Sequence, residues 1–155
     1  MYDKRDYILK ITNATGLELI IISYDLLLDN INEAITAHKN APEAFIAAIN
    51  RARDVLMELI AALNMDYKVS REIYPLYLRV NTLLISALAY EKKEKLEEAV
   101  RILTILREGW VKVREHDPMS DRLYKSAPKV YTGLTYGRKG PNDYVEANPS
   151  RGIEA

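Results

Sequence analysis

The sequence contains no cysteine, which excludes disulfide bonds, thiolate metal sites and cysteine nucleophiles. It has no excess of either charge, because 22 lysines and arginines balance 22 aspartates and glutamates. Without a positive field or a basic block, nothing favours a nucleic-acid partner. The most apolar stretch, LIIISYDLLL at 19–28, is roughly half the ~20 residues of a membrane span. The charged start, MYDKRDYILK, lacks the apolar core of a signal peptide, so we expect a cytoplasmic protein without membrane insertion.

Glycine and proline are also scarce, with 6 of each, and they cluster late in the chain. Pro118, Pro128, Pro141 and Pro149 all follow residue 115, together with most of the glycines. Because these residues interrupt regular structure, they divide the chain into a helical domain, 1–116, and an irregular tail, 117–155. The tail also contains Tyr131, Leu134, Tyr136 and Tyr144. Disorder is the default interpretation of such a segment; our hypothesis is that it lies extended along the helical domain and could mimic or compete with a bound partner.

Four stretches of the helical domain repeat apolar residues at steps of three and four, which predicts amphipathic helices of about 20–25 residues. The four series are Leu17, Ile20, Tyr24, Leu27, Ile31 and Ala34; Phe45, Ile49, Ala52, Leu56, Leu59 and Leu63; Leu76, Val80, Leu83 and Ala87; and Leu96, Ala99 or Val100, Leu103, Leu106, Trp110 and Val113. Short loops between long helices make antiparallel neighbours. The sequence therefore predicts an all-α, antiparallel up-and-down four-helix bundle with a short N-terminal segment and an extended C-terminal tail.

Local signals predict where the helices begin. Thr15 and Glu18 have the spacing of a capping box for the first helix. Pro42 suits the first turn of the second helix, where its missing N–H costs nothing. Pro75 would break hydrogen bonding inside a helix, so either a short turn at 70–74 precedes a helix that begins near Pro75, or a helix from Ser70 kinks there; we predict the former.

Signals for catalysis are weak. His38 and His116 lie near predicted helix ends, where a histidine interacts favourably with the helix dipole. Neither has the Glu-x-x-His spacing of a di-iron bundle. The row Asp25, Asp29 and Glu33 could bind a cation, but with no complementary ligands on another helix we interpret it as a solvated face. We expect no enzymatic activity, no metal and no cofactor.

Apolar residues exceed what a bundle helix needs. The first helix adds Leu19, Ile21, Ile22, Leu26, Leu28 and Ile35 to its series, and the third adds Tyr77, Leu78, Ile85, Leu88 and Tyr90. Large exposed apolar patches mark interaction sites. The surplus could be covered by the N-terminal segment, the tail, a second subunit or a partner peptide; alternatively, the helices could simply be deeply buried.

Several short stretches together resemble the FliS family of flagellar export chaperones. They are Met1-Tyr2, Tyr7, the helix start NATGLELI at 13–20, Tyr24-Asp25, ELIAAL at 58–63, Leu76-Tyr77, Ala87 and LREGW at 106–110. No piece is specific alone, but their order and spacing over about residues 1–115 are. The tail lies outside this resemblance.

The resemblance implies a cytoplasmic chaperone, not an enzyme, that binds the C-terminal segment of flagellin, prevents its premature polymerisation and presents it to the flagellar export apparatus. It also implies that the N-terminal segment covers part of the client surface when no client is bound. Combined with the apolar surplus, it gives the predicted partner-binding residues Tyr7, Ile8, Ile11, Ile21, Ile22, Tyr24, Asp25, Leu28, Tyr77, Leu78, Ile85 and Leu88. The alternative is a non-enzymatic bundle whose apolar surplus forms a homodimer or another protein interface.

Overall fold

Four long α-helices form an all-α bundle. They are α1 (Gly16–Ala37), α2 (Pro42–Ala62), α3 (Lys68–Tyr90) and α4 (Lys93–His116). The computed structural model describes Arg5 and residues 16–116. The helices have 22, 21, 23 and 24 residues, which confirms the predicted four-helix fold. The predicted cap at Thr15, the partner residues Tyr7, Ile8 and Ile11, and the tail lie outside the described residues.

Side-chain bonds across the bundle fix the direction of the helices. α1 and α3 each pack against α2 and α4 and lie diagonally opposite one another. Two hydrogen bonds cross this diagonal: Tyr24 Oη to Tyr77 Oη at 2.6 Å, and His38 Nε2 donating to the Glu91 carbonyl at 2.6 Å. Both join residues 53 apart in sequence, so α1 and α3 run parallel. With short loops between successive helices, this is the up-and-down arrangement.

The core contains the predicted series of α1 and α2 in full, and Leu96, Ala99, Leu103 and Trp110 of α4. The series of α3 residues predicted for the core was wrong at one position. Leu76 is 40% exposed, whereas Tyr77, predicted as surplus, is completely buried. The physical reason is that Tyr77 continues the buried stripe of Ser70, Ile73, Val80 and Ala87, and the Tyr24 hydroxyl satisfies its buried hydroxyl group.

The start of α3 was also predicted wrongly. The helix begins at Lys68 and runs through Pro75, which therefore lies in its interior. Proline removes the hydrogen bond that would reach back four residues, to the Arg71 carbonyl. Separately, the Arg71 side chain donates to the Met65 carbonyl at 2.8 Å, which ties the first turn of α3 to the preceding loop. Burial of Ser70, Ile73 and Tyr77 around the proline outweighs the propensity signal that favoured a later start.

A buried polar cluster joins three of the four helices. Trp110 Nε1 on α4 donates to Tyr24 Oη on α1 at 3.1 Å, and that hydroxyl shares a hydrogen bond with Tyr77 Oη on α3. All three side chains are at most 4% exposed. Inside a low-dielectric core such bonds are strong and directional. The cluster therefore fixes both the spacing and the register of α1, α3 and α4.

The acidic row of α1 is not the solvated face that the sequence suggested. Arg107 of α4 makes a two-pronged contact with Asp25, with Nη2 to Oδ2 at 3.2 Å. Arg51 of α2 contacts both Glu33, at 3.0 Å, and the Asn30 side-chain oxygen, at 2.8 Å. The row thus supplies ion pairs to both neighbouring helices.

Ser23, buried within α1, donates to the Leu19 carbonyl at 2.9 Å.

The buried cluster makes a direct prediction about stability. Replacing Tyr24 with Phe removes two buried hydrogen bonds while keeping the ring, so we expect the free energy of unfolding to fall by about 1–3 kcal/mol. Tyr90→Phe is the matched control, because Tyr90 is 71% exposed and the same deletion there should change stability by less than about 0.5 kcal/mol. Urea unfolding followed by circular dichroism measures both. Equal midpoints for the two variants would contradict the structural role of the cluster.

Candidate functional site: an apolar groove between α2 and α3

The groove between α2 and α3 is marked by a single hydrogen bond across it. Arg53 Nε on α2 donates to Asn81 Oδ1 on α3 at 3.2 Å, and both side chains are half-buried. Of the four neighbouring helix pairs, α2 and α3 make the least extensive contact. The gap between α2 and α3 is therefore less closely packed than the gaps between the other neighbouring helices.

Helical spacing places apolar side chains on the same faces as this bond. Residues three, four and seven apart lie on one face of a helix. On α2, Ile46, Met57 and Ile60 share the face of Arg53; on α3, Tyr74, Leu78, Ile85 and Leu88 share the face of Asn81. We call these seven residues, with Arg53 and Asn81, the α2–α3 groove. Its walls combine seven apolar or aromatic side chains with one charged side chain, Arg53, and the exposed polar Asn50 shares the α2 face between Ile46 and Arg53.

The antiparallel register divides the groove into two apolar compartments. Ile46 lies two turns before Arg53 and therefore at the level of Leu88, two turns after Asn81. In the other direction, Ile60 lies at the level of Tyr74. One compartment thus contains Ile46, Ile85 and Leu88, and the other contains Met57, Ile60, Tyr74 and Leu78. At 1.5 Å per residue, the groove is about 21 Å long with the Arg53–Asn81 pair at its centre.

The groove is exposed along its length. Ile46, Met57, Leu78 and Ile85 are between 40% and 46% exposed, whereas Ile60, Tyr74 and Leu88 pack partly against the core. A contiguous patch of this kind is typical of sites that bind an amphipathic segment. Chemically, the groove can remove water from the apolar side chains of a bound segment, and Arg53 can donate hydrogen bonds to that segment.

The structure brings together only some of the predicted partner-binding residues. Leu78, Ile85 and Leu88 line the α2–α3 groove. Ile21, Tyr24 and Tyr77 lie in the core, where they offer no surface to a partner in this conformation. Asp25 is held by Arg107. Ile22 and Leu28 are half-buried on α1, away from the groove.

Sequence reasoning missed the α2 wall. Ile46, Met57 and Ile60 form a second apolar series on α2, and it was overlooked because the stronger series of Phe45 to Leu63 accounts for the core. A search for apolar residues spaced by seven and four around Arg53 would have found it. Their position opposite α3, however, depends on the packing of the two helices and is not visible in the sequence.

A second exposed apolar area lies on the side of α3 that faces α4. It contains Leu76, 40% exposed, and Ile105, 68% exposed. An ion pair runs beside it, in which Arg79 Nη2 donates to Glu98 Oε2 at 2.6 Å, and this hydrogen bond lowers the pKa of the Glu98 carboxyl. Because it has fewer apolar side chains than the α2–α3 groove and an ion pair beside it, we call this area the comparison surface.

The described part of the chain, Arg5 and residues 16–116, carries neither a metal-binding cluster nor a membrane-spanning helix. Within it, no three or more His, Asp or Glu side chains are grouped so that they could hold a metal ion. None of the four described helices is both long and apolar enough to cross a membrane.

The family comparison agrees with the fold and with the sequence resemblance. The family model described as flagellar protein FliS matches residues 2–117, which is most of the chain. The comparison with curated proteins finds no match. The matched region includes all four helices, the buried tyrosine–tryptophan cluster and the α2–α3 groove. The chain belongs to the FliS family of flagellar chaperones.

Proposed function

We propose that this protein is a cytoplasmic export chaperone that binds the C-terminal segment of flagellin in the α2–α3 groove. Binding would cover apolar residues that flagellin otherwise buries in the filament, so that it prevents premature polymerisation. The complex would then be presented to the flagellar export apparatus. The observation that carries the proposal is the exposed apolar groove in a chain of the FliS family.

The composition of the groove supports a polypeptide client. The seven apolar or aromatic side chains of the groove favour apolar side chains of the client. Fully burying one large apolar side chain stabilises a complex by about 1.5–3 kcal/mol. A client that becomes ordered on binding loses conformational entropy, which offsets much of this gain. A groove about 21 Å long therefore suits a client that must bind firmly in the cell and be released at export.

Only two of the described helices form the groove, yet the predicted partner set also includes Ile22 and Leu28 of α1. Both pack partly against the core. We keep them in the proposal as a secondary contact region. A charged residue at Ile22 should weaken client binding more than it weakens folding; equal losses would identify the position as core.

The main test compares two exposed apolar positions, Leu78 of α3 in the groove and Ile105 of α4 on the comparison surface. Leu78→Glu puts a carboxylate into the groove, so we expect the affinity for a synthetic C-terminal flagellin peptide to fall at least about tenfold, because a charge must be desolvated. Ile105→Glu, on the comparison surface, should leave the affinity unchanged. Isothermal titration calorimetry measures both variants and the wild type.

Thermal unfolding checks that both variants are folded. Both positions are exposed, so we expect them to tolerate glutamate. Failure of the wild-type protein to bind the peptide at tens of micromolar would contradict the proposed function. An affinity loss at Ile105 but not at Leu78 would move the client to the other face.

A homodimer is the alternative use of the groove. Sedimentation velocity over a hundredfold range of concentration separates the two possibilities. If the proposed function is correct, the groove binds the peptide at every protein concentration. A concentration-independent dimer that excludes the peptide would favour the homodimer, and Leu78→Glu would then dissociate it.

The tail offers a further test of competition for the groove. We expect deletion of residues 121–155 to raise the affinity for the flagellin peptide, because the tyrosines of the tail would no longer compete for the apolar walls. Calorimetry of the full-length and shortened proteins, both checked for helical content by circular dichroism, measures the effect. An unchanged affinity would show that the tail does not compete with the client.

A further inference from the structure

The Arg53–Asn81 pair lies at the midpoint of a largely apolar groove. Arg53 uses its Nε–H for the bond to Asn81. Among the described residues, no acceptor is found for the two terminal nitrogens of its guanidinium group. Arg53 as a whole is half-buried, with apolar side chains one and two turns away along the groove. A strong set of hydrogen-bond donors therefore lies at the centre of the groove.

Binding of a client would remove water from these donors. Desolvating a cation without giving it an acceptor is costly. A continuous apolar helix could not supply a good one, because its backbone carbonyls already accept a hydrogen bond within the helix. A segment that carries an oxygen acceptor at that level could. The acceptor would be a side-chain carboxylate or amide, or a backbone carbonyl at a break in the helix.

We propose that Arg53, oriented by Asn81, is a specificity-determining residue that recognises an oxygen acceptor in the middle of the bound segment. The preferred partner is thus a segment with two apolar runs, one for each compartment, separated by an acceptor. This inference rests on the proposed function, since it names the client chemistry that the α2–α3 groove selects. Asn81 acts as the positioning residue, because its side-chain oxygen holds the guanidinium group across the groove.

The compartments set the spacing of the two runs. Ile46 and Ile60 lie two turns before and after Arg53 on α2, so their centres are about 10 Å on either side of the pair. A helical client would need apolar residues about two turns before and after its acceptor. A segment with a single long apolar run would fill both compartments but leave Arg53 without an acceptor.

The test uses the full-length protein and a synthetic C-terminal flagellin peptide. Arg53→Met keeps an unbranched side chain of similar length and removes the donors and the charge. We expect it to weaken peptide binding by about tenfold to a hundredfold, the range for hydrogen bonds to a charged group. Arg53→Lys keeps the charge but loses the forked geometry, so it should fall between the wild type and Arg53→Met. Arg101→Met, an exposed position on α4, is the matched control and should leave the affinity unchanged.

Salt dependence distinguishes the two kinds of acceptor. With a carboxylate, raising the NaCl concentration should weaken binding by the wild type more than by Arg53→Met, because an ion pair is screened. With an amide or a backbone carbonyl, the two proteins should respond equally to salt while the affinity gap remains. Either pattern supports the recognition of an acceptor.

The outcomes also separate this inference from the proposed function. If the wild type binds, Leu78→Glu does not, and Arg53→Met binds as tightly as the wild type or more tightly, the groove is correct and Arg53 has no recognition role. If the wild type fails to bind the peptide, both are overturned. Thermal unfolding shows whether each variant is folded. If Arg53→Met does not fold, the comparison uses Arg53→Lys instead. Wild-type affinity of Arg53→Lys for the peptide would then overturn recognition by the forked guanidinium group.

Discussion

The hydrogen-bonded cluster of Tyr24, Tyr77 and Trp110 is the constraint on which the arrangement of the bundle depends. Its polar atoms are buried, so each needs a partner, and the partners lie on three different helices. Apolar packing alone would tolerate small shifts of one helix along another, whereas these bonds require one register. With α1, α3 and α4 fixed in this way, α2 is anchored chiefly to α1, through Arg51 as well as through the core. The less extensive contact between α2 and α3 follows from this arrangement.

That asymmetry connects the fold to the proposed function. A bundle in which all four gaps were equally filled would offer no continuous apolar surface. Here one gap has apolar walls on both helices and a single polar crossing at Arg53 and Asn81. The remaining gaps are bridged by ion pairs, Arg107 with Asp25, Arg51 with Glu33 and Arg79 with Glu98. Among the described residues, the ion pairs thus lie in the other three gaps, and the α2–α3 gap is lined chiefly by apolar side chains.

The sequence predicted the fold better than the site, and particular residues show why. Periodicity identifies the buried stripes of α1, α2 and α4, because helical spacing is a local property. It failed at Leu76 and Tyr77, since either could continue the α3 stripe and only the hydroxyl of Tyr24, 53 residues away, decides between them. It failed again at Pro75, where burial of the surrounding residues outweighs the usual effect of proline. Leu78, Ile85 and Leu88 were recognised as surplus, but Ile46, Met57 and Arg53 become part of a site only when α2 lies beside α3.

The most direct test of the central claim is to observe the groove while the client binds. Labelling the δ1 methyl groups of isoleucine reports on Ile46, Ile60 and Ile85 inside the α2–α3 groove and on Ile105 outside it. Titration with the C-terminal flagellin peptide is predicted to shift the methyl resonances of Ile46, Ile60 and Ile85 and to leave that of Ile105, 68% exposed, unchanged. A shift of Ile105 with the three groove methyls unchanged would contradict the account.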